Sequence, residues 1–228
     1  MKKHIPNTIT CCNLISGCIA TWFAFQSDYA MALLFIVIGA VFDFFDGMSA
    51  RLLHVSSPIG KELDSLADDI TFGFAPSAII FDFLKTGIEY LPWHYLSYAA
   101  FIMAAFSALR LAKFNLDERQ AMGFIGLPTP ANALFWGALL VGAGEWLSAS
   151  PHTYWAVFAG IFVSSWLLVS EIPMFALKFK TWGWKGNEVR YLFLISCLPL
   201  LLLFGIPGLA VIIAWYILLS IATHFLNH

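Results

Sequence analysis

The chain is short of charge: only 11% of its 228 residues are Asp, Glu, Lys or Arg, where a soluble domain would carry roughly a quarter. That shortage excludes an ordinary water-soluble enzyme. It also lacks a basic excess. A formal net charge of -2 argues against binding nucleic acid, which calls for a positively charged face. Cysteine is scarce, with Cys11, Cys12, Cys18 and Cys197 and no CxxC pair, so the four are expected to be buried apolar fillers without a redox or metal role. The six histidines are scattered along the chain, at positions 4, 54, 94, 152, 224 and 228, which leaves zinc chemistry unsupported. There is no internal repeat and no low-complexity tract.

What remains is apolar: 60% of the residues are hydrophobic and 17% aromatic. A membrane-crossing helix needs about 20 apolar residues, so the chain has length for at most about eight, and residues 1–228 read as one membrane-embedded domain. Apolar runs fall at 9–26, 30–53, 61–84, 94–114, 129–147, 152–174, 189–205 and 207–226. The expectation is an all-α polytopic helical bundle of about eight transmembrane helices. The last two runs are the weakest, because Tyr191–Phe204 is short and contains Pro199. Six spans with a re-entrant hairpin are the alternative. Met1-Lys2-Lys3-His4 reads as the start of an uncleaved first span.

With eight spans, 11 of the 12 Lys and Arg residues fall on the side of the termini and only Lys85 on the other. By the positive-inside rule, the termini and the 2–3, 4–5 and 6–7 connections are cytoplasmic. Trp93, Trp146, Trp182 and Trp184 lie near span ends, as an interfacial aromatic belt requires. Glu171, near the end of span 6, is placed to pair with Lys178.

Six of the 14 acidic residues crowd between positions 43 and 69: Asp43, Asp46, Glu62, Asp64, Asp68 and Asp69. A carboxylate inside a span costs about 2.5–3.5 kcal/mol at its centre, so chance is a poor explanation. Asp43 and Asp46 are i,i+3 and Asp64 and Asp68 are i,i+4, so each pair projects from one helix face. Span 2 descends to the cytoplasm and span 3 rises from it, which lets the pairs face each other. Four convergent carboxylates repel unless cations sit among them. All-oxygen ligands suit Mg2+ or Mn2+, and four can hold two ions.

Gly47 and Ala50 share the face of Asp46, where their missing bulk would let a phosphate approach the backbone. Arg51 adds planar donors suited to phosphate. Taken singly, small residues in a membrane helix serve packing and an Arg at a helix end serves anchoring. Taken with four aspartates, they describe a pyrophosphate site at the cytoplasmic surface.

Residues 43–68 read D-x2-D-G-x2-A-R-x8-G-x3-D-x3-D, eight fixed positions over 26 residues. This resembles the signature of the CDP-alcohol phosphatidyltransferases, integral membrane enzymes whose core is six membrane helices. The segments IPNTIT at 5–10, DSLADDITFGFAPS at 64–77, SALRLAKFN at 107–115, FIGLPTPANA at 124–133 and VSEIPMFALKFK at 169–180 are similar to the family's bacterial phosphatidylserine synthase branch. The likeness reaches from residue 5 to 180. Asp69 departs from it, standing where an apolar residue is commoner. An ideal helix would turn it about 100° from Asp68, so it is not taken as a ligand.

The resemblance implies CDP-diacylglycerol as donor, L-serine as acceptor, and Mg2+ or Mn2+, two ions, as cofactor. It implies that Asp43, Asp46, Asp64 and Asp68 bind the metals and that Asp68 is also the base. The nucleotide would lie against Gly47, Ala50, Arg51 and Gly60, with Asn7 and Thr10 as weaker candidates. Serine is zwitterionic, so its carboxylate needs a cation. Arg110 and Lys113 are the candidates, with Thr129 in the proline-stiffened loop 126–130 as a polar contact; for Lys113, anchoring explains the charge equally well. The branch further implies a homodimer in a bacterial cytoplasmic (inner) membrane, with the site facing the cytoplasm. Rival readings are another acceptor within the family, glycerol 3-phosphate or inositol phosphate, and, from another class, an ion-coupled transporter.

Overall fold

A computed structural model describes residues 4–55, 57–87, 94–117, 124–177 and 183–226. Two long helices, α1 (His4–Phe25) and α2 (Tyr29–Leu52), form an antiparallel hairpin. The turn between them is tight. Ser27 takes a positive φ of 59°, and Asp28 caps α2 by accepting the backbone N–H of Met31 at 3.0 Å. The next helix, α3 (Pro58–Asp68), starts at a textured N-terminal signal: Ser57 accepts the N–H of Gly60 at 3.0 Å and Pro58 follows at the first helical position.

After Asp68 the helix widens into a π-helical segment, Asp69–Phe74, then tightens again into α4 (Ala75–Thr86). A 3-10 turn, His94–Ala99, leads into α5 (Ala100–Leu116). The remaining helices are α6 (Thr129–Ser148), α7 (Pro151–Val169), α8 (Glu188–Phe204) and α9 (Pro207–Leu226). Two short strands, β1 (Phe124–Ile125) and β2 (Pro173–Met174), pair antiparallel with Phe124 opposite Met174.

Each of the eight expected spans is helical over most of its length among the described residues. Five helices, His4–Phe25, Tyr29–Leu52, Tyr95–Leu116, Pro151–Val169 and Pro207–Phe225, are long and apolar enough to cross a membrane. The chain is a polytopic helical membrane protein. The other three segments fall short for visible reasons: the π-helical segment divides α3 from α4, α8 has 17 residues, and α6 has length but is less apolar.

Two expectations need correction. Span 6 does not run to residue 174. It ends at Val169, and Ser170 is extended, because Pro173 disfavours helix before it and the chain leaves to pair with β1. The cysteines are not core fillers: Cys11 and Cys18 are exposed and Cys12 and Cys197 half-buried, so they sit toward the outer surface of the bundle, where lipid is as apolar as a core. The expected pairing of Glu171 with Lys178 falls outside the described residues.

The core is built from small and large residues together. Ala20, Ala32, Ala78 and Ala133 are buried and let helices approach closely, while Ile36, Phe72, Ile79 and Trp136 fill the space between. A second cluster, with Leu127, Met174, Phe193 and Tyr216, packs the strand pair and α8 against α9. Most large side chains of α8, among them Leu194, Ile195, Leu198 and Leu202, face outward, as a lipid-facing helix requires.

Candidate active site

The hairpin fold brings the end of α2 and the whole of α3 against the start of α1. Asp43, Asp64 and Asp68 each offer a carboxylate oxygen, and these three oxygens lie within 4.8 Å of one another. Asp43 and Asp64 repel each other, and Asp68 feels Asp43, Asp64 and Asp46 together. One oxygen of Asp64 is buried without a hydrogen-bond partner among the described residues. Three hard oxygen donors at that spacing, one of them unsatisfied, fit a divalent cation.

Asp46 stands just outside that triad. It is 6% exposed, and its Oδ2 accepts a 2.7 Å hydrogen bond from Thr10 on α1. Asp68 is held similarly, by Asn13 Nδ2 donating to Oδ1 at 3.0 Å. Two polar side chains on one face of α1 therefore orient one carboxylate from α2 and one from α3.

A cavity of about 750 Å³ opens beside the aspartates. Asn7, Thr10, Gly47, Ala50, Arg51 and Gly60, all six residues expected to meet the nucleotide, line it, and so do Asp46 and Asp64. Gly47 faces open space, since a Cβ there would meet nothing within 4 Å. Gly60 is tighter: a Cβ would come within 3.0 Å of Ser57 Oγ and 3.1 Å of Asn7 Oδ1.

The acceptor candidates divide. Arg110 is buried at 7% exposure, with its Nε unpartnered among the described residues, its guanidinium 5.4 Å over the ring of Phe114 and within electrostatic reach of Asp68. Thr129 opens α6 fully buried, with its hydroxyl unpartnered among the described residues. Lys113 is exposed on the last turn of α5.

Sequence reasoning missed Asn13, and it missed Pro6, His54, Val55, Ser57 and Lys61 in the cavity wall. A signal for Asn13 existed: it lies three residues after Thr10 and seven after Pro6, on the same helical face.

The sequence profile of the CDP-alcohol phosphatidyltransferases matches residues 3–225. The chain belongs to that family. A Bacillus subtilis protein named CDP-diacylglycerol–serine O-phosphatidyltransferase is 39% identical over 128 residues, 56% of this chain and 70% of the relative. A Mycobacterium leprae protein of the same name is 32% identical over 182 residues, 75% of this chain but 57% of the longer relative. A Helicobacter pylori protein, also so named, is 30% identical over 220 residues, 95% of this chain and 89% of the relative. The chain thus spans less than two thirds of the mycobacterial relative and nearly all of the Helicobacter one.

Proposed function

We propose that this family member transfers the phosphatidyl group of CDP-diacylglycerol to the hydroxyl of L-serine, giving phosphatidylserine and CMP. The observation that carries the reading is the Asp43, Asp64 and Asp68 triad set at the edge of the cavity lined by Gly47, Ala50, Arg51 and Gly60. Support for serine comes from the shared name of the relatives.

Asp43, Asp64 and Asp68 would hold Mg2+ or Mn2+, with Asp46 facing the same space and supplying a ligand to a second ion. Such ions, when bound, neutralise the pyrophosphate and polarise the phosphorus that bears the diacylglycerol. Arg51 binds phosphate oxygens, and the bare backbone at Gly47 gives them room. A serine hydroxyl is far too weak an acid to ionise unaided at neutral pH. Asp68 takes its proton as the serine oxygen bonds to that phosphorus, and the bond to the CMP oxygen breaks. Thr10 and Asn13 keep Asp46 and Asp68 from swinging away.

Arg110 binds the serine carboxylate, with Thr129 beside it. Lys113, being exposed, serves capture of the anion at the surface or anchoring. Phosphorylated acceptors would call for more cations than one buried arginine. Family membership and carboxylates gathered at one end of the bundle favour a transferase over an ion-coupled transporter, whose sites lie near the midplane. The same reading holds residues 1–228 to be one domain of eight spans around a six-helix core, a homodimer in a bacterial inner membrane, with the site and both termini cytoplasmic.

The test is CMP release from CDP-diacylglycerol by the purified chain in detergent, with L-serine, glycerol 3-phosphate and inositol phosphate assayed side by side. Release is expected with serine and a divalent ion only. Release that ignores serine but follows glycerol 3-phosphate would overturn the acceptor, and no release with any acceptor would overturn the activity.

A further inference from the structure

Asp69 turns away from the metal site, and among the described residues it is outside the carboxylate triad. It is not turned to the outside, however. It opens the π-helical segment, and its Oδ1 is buried without a hydrogen-bond partner among the described residues. Across from it on α5, Ser107 is fully buried and its hydroxyl is likewise unpartnered. The two oxygens flank Gly73. A Cβ built on Gly73 would meet Asp69 Oδ1 at 2.7 Å and Ser107 Oγ at 2.8 Å, so only glycine lets both oxygens come this close to the backbone.

A buried carboxylate oxygen without a partner is unfavourable, and a hydrogen bond from a cationic donor relieves it best. The surroundings narrow the identity of that cation. Ser107 lies three residues before Arg110 on the same face of α5, and Arg110 is within electrostatic reach of Asp68. One unpaired negative group and one buried positive group therefore neighbour the proposed base. An amino acid carries an ammonium and a carboxylate on a single carbon, and in serine the reacting hydroxyl is one carbon further.

We infer that Asp69 and Ser107 bind the ammonium group of the acceptor amino acid, opposite the arginine that binds its carboxylate. The inference rests on the serine reading above and adds its selectivity. An ammonium offers three N–H donors, to be taken by Asp69 Oδ1 and Ser107 Oγ among others. A phosphorylated acceptor has no such donor and would meet the charge of Asp69 with its own. Discrimination against glycerol 3-phosphate and inositol phosphate then comes from a carboxylate that repels them, beyond the scarcity of cations.

The experiment uses the full chain in detergent with CDP-diacylglycerol and a divalent ion, measuring KM for L-serine and competition by L-glycerate. Glycerate carries a hydroxyl where serine has its ammonium. Asp69→Asn is expected to raise the serine KM roughly ten- to a hundredfold, the scale of a charge-assisted hydrogen bond. It should leave the KM for CDP-diacylglycerol and the inhibition by glycerate nearly unchanged. Asp69→Glu should recover part of the loss.

An unaltered serine KM in Asp69→Asn, or serine and glycerate weakened equally, would overturn the inference while leaving the serine reading intact. Wild-type protein that ignores serine and uses glycerol 3-phosphate would overturn both. Should Asp69→Asn fail to give a wild-type melting transition, Ser107→Ala decides. It should shift the preference for serine over glycerate severalfold, and an unshifted preference overturns the assignment.

Discussion

Asn13 on α1 donates a 3.0 Å hydrogen bond to Asp68 at the end of α3, across 55 positions of sequence. The same asparagine accepts, through its backbone carbonyl, the hydroxyl of Thr71 in the π-helical segment at 3.0 Å. One residue thereby fixes both the carboxylate and the helix irregularity that follows it. A hydrogen bond to a charged group is worth about 1.5–3 kcal/mol. Asn13→Ala keeps the backbone contact and removes only the amide. The expected outcome is a kcat lower by roughly ten- to a hundredfold, with little change in KM for CDP-diacylglycerol. Steady-state kinetics on CMP release checks it, and a KM effect without a kcat effect would show that Asn13 does not orient the base.

Asp68 itself gives a sharper effect. A positioned general base contributes about 10²–10⁴ in rate, so Asp68→Asn should lower kcat by that order while the protein still binds CDP-diacylglycerol. Equilibrium binding of the lipid nucleotide, measured beside turnover, separates loss of chemistry from loss of the site. Turnover near the wild-type level would assign the proton to another group.

The carboxylate triad makes binding of metal and stability interdependent. A ligand that binds only the folded state at a hundredfold its Kd stabilises by about 2.7 kcal/mol. Adding Mg2+ or Mn2+ to chelator-treated protein should therefore raise the melting temperature in detergent and restore activity. Asp64→Asn, which removes the charge of one of the three carboxylates whose oxygens gather within 4.8 Å, should lose most of that shift. A full metal-induced shift in the variant would place the ion elsewhere.

Burial makes Arg110 and Lys113 behave differently, although they lie three residues apart on α5. Arg110→Ala should raise the KM for serine far more than that for CDP-diacylglycerol, by about tenfold or more if a charge-assisted pair is lost. Lys113→Ala, removing an exposed charge, should change it less than threefold, as exposed charges contribute little. An unchanged serine KM in Arg110→Ala would remove it from the acceptor site.

Much of this arrangement was legible because the carboxylates stand against an apolar background. Spacings of three and four placed Asp43 with Asp46 and Asp64 with Asp68 on helix faces, and the span directions brought the pairs together. The six nucleotide candidates line one cavity because they sit on three adjacent helix ends, each at a position that sequence spacing can define. Asn13 was hidden for a different reason: its spacing from Thr10 and Pro6 marks the helical face it shares, but its partner is 55 residues away. The π-helical segment was invisible because one extra residue in a turn changes no hydrophobic pattern. Asp69 opens it in ordinary helical conformation and stays outside the carboxylate triad, as a turn of about 100° from Asp68 requires. The strand pair escaped notice too, since two residues in each strand leave no periodicity to read.

Two glycines on α2, eight residues apart, separate what packs from what binds. At Gly39 an added Cβ would press on the Thr71 methyl and on Asn13 Oδ1, whereas at Gly47 it would meet nothing within 4 Å. Gly39→Val should overpack the junction of α1, α2 and the π-helical segment, destabilising by about 1–3 kcal/mol and lowering the melting temperature. Gly47→Val should fold normally, because valine is tolerated in a helix at least as well as glycine. Its side chain instead enters the cavity that Arg51 and Gly60 also line. There it would hold the pyrophosphate away from the backbone and raise the KM for CDP-diacylglycerol, by about tenfold for a loss near 1.4 kcal/mol, while the KM for serine stays put. Melting curves and the two KM values together check the pair; a Gly47→Val protein with wild-type kinetics would move the nucleotide off this face of α2.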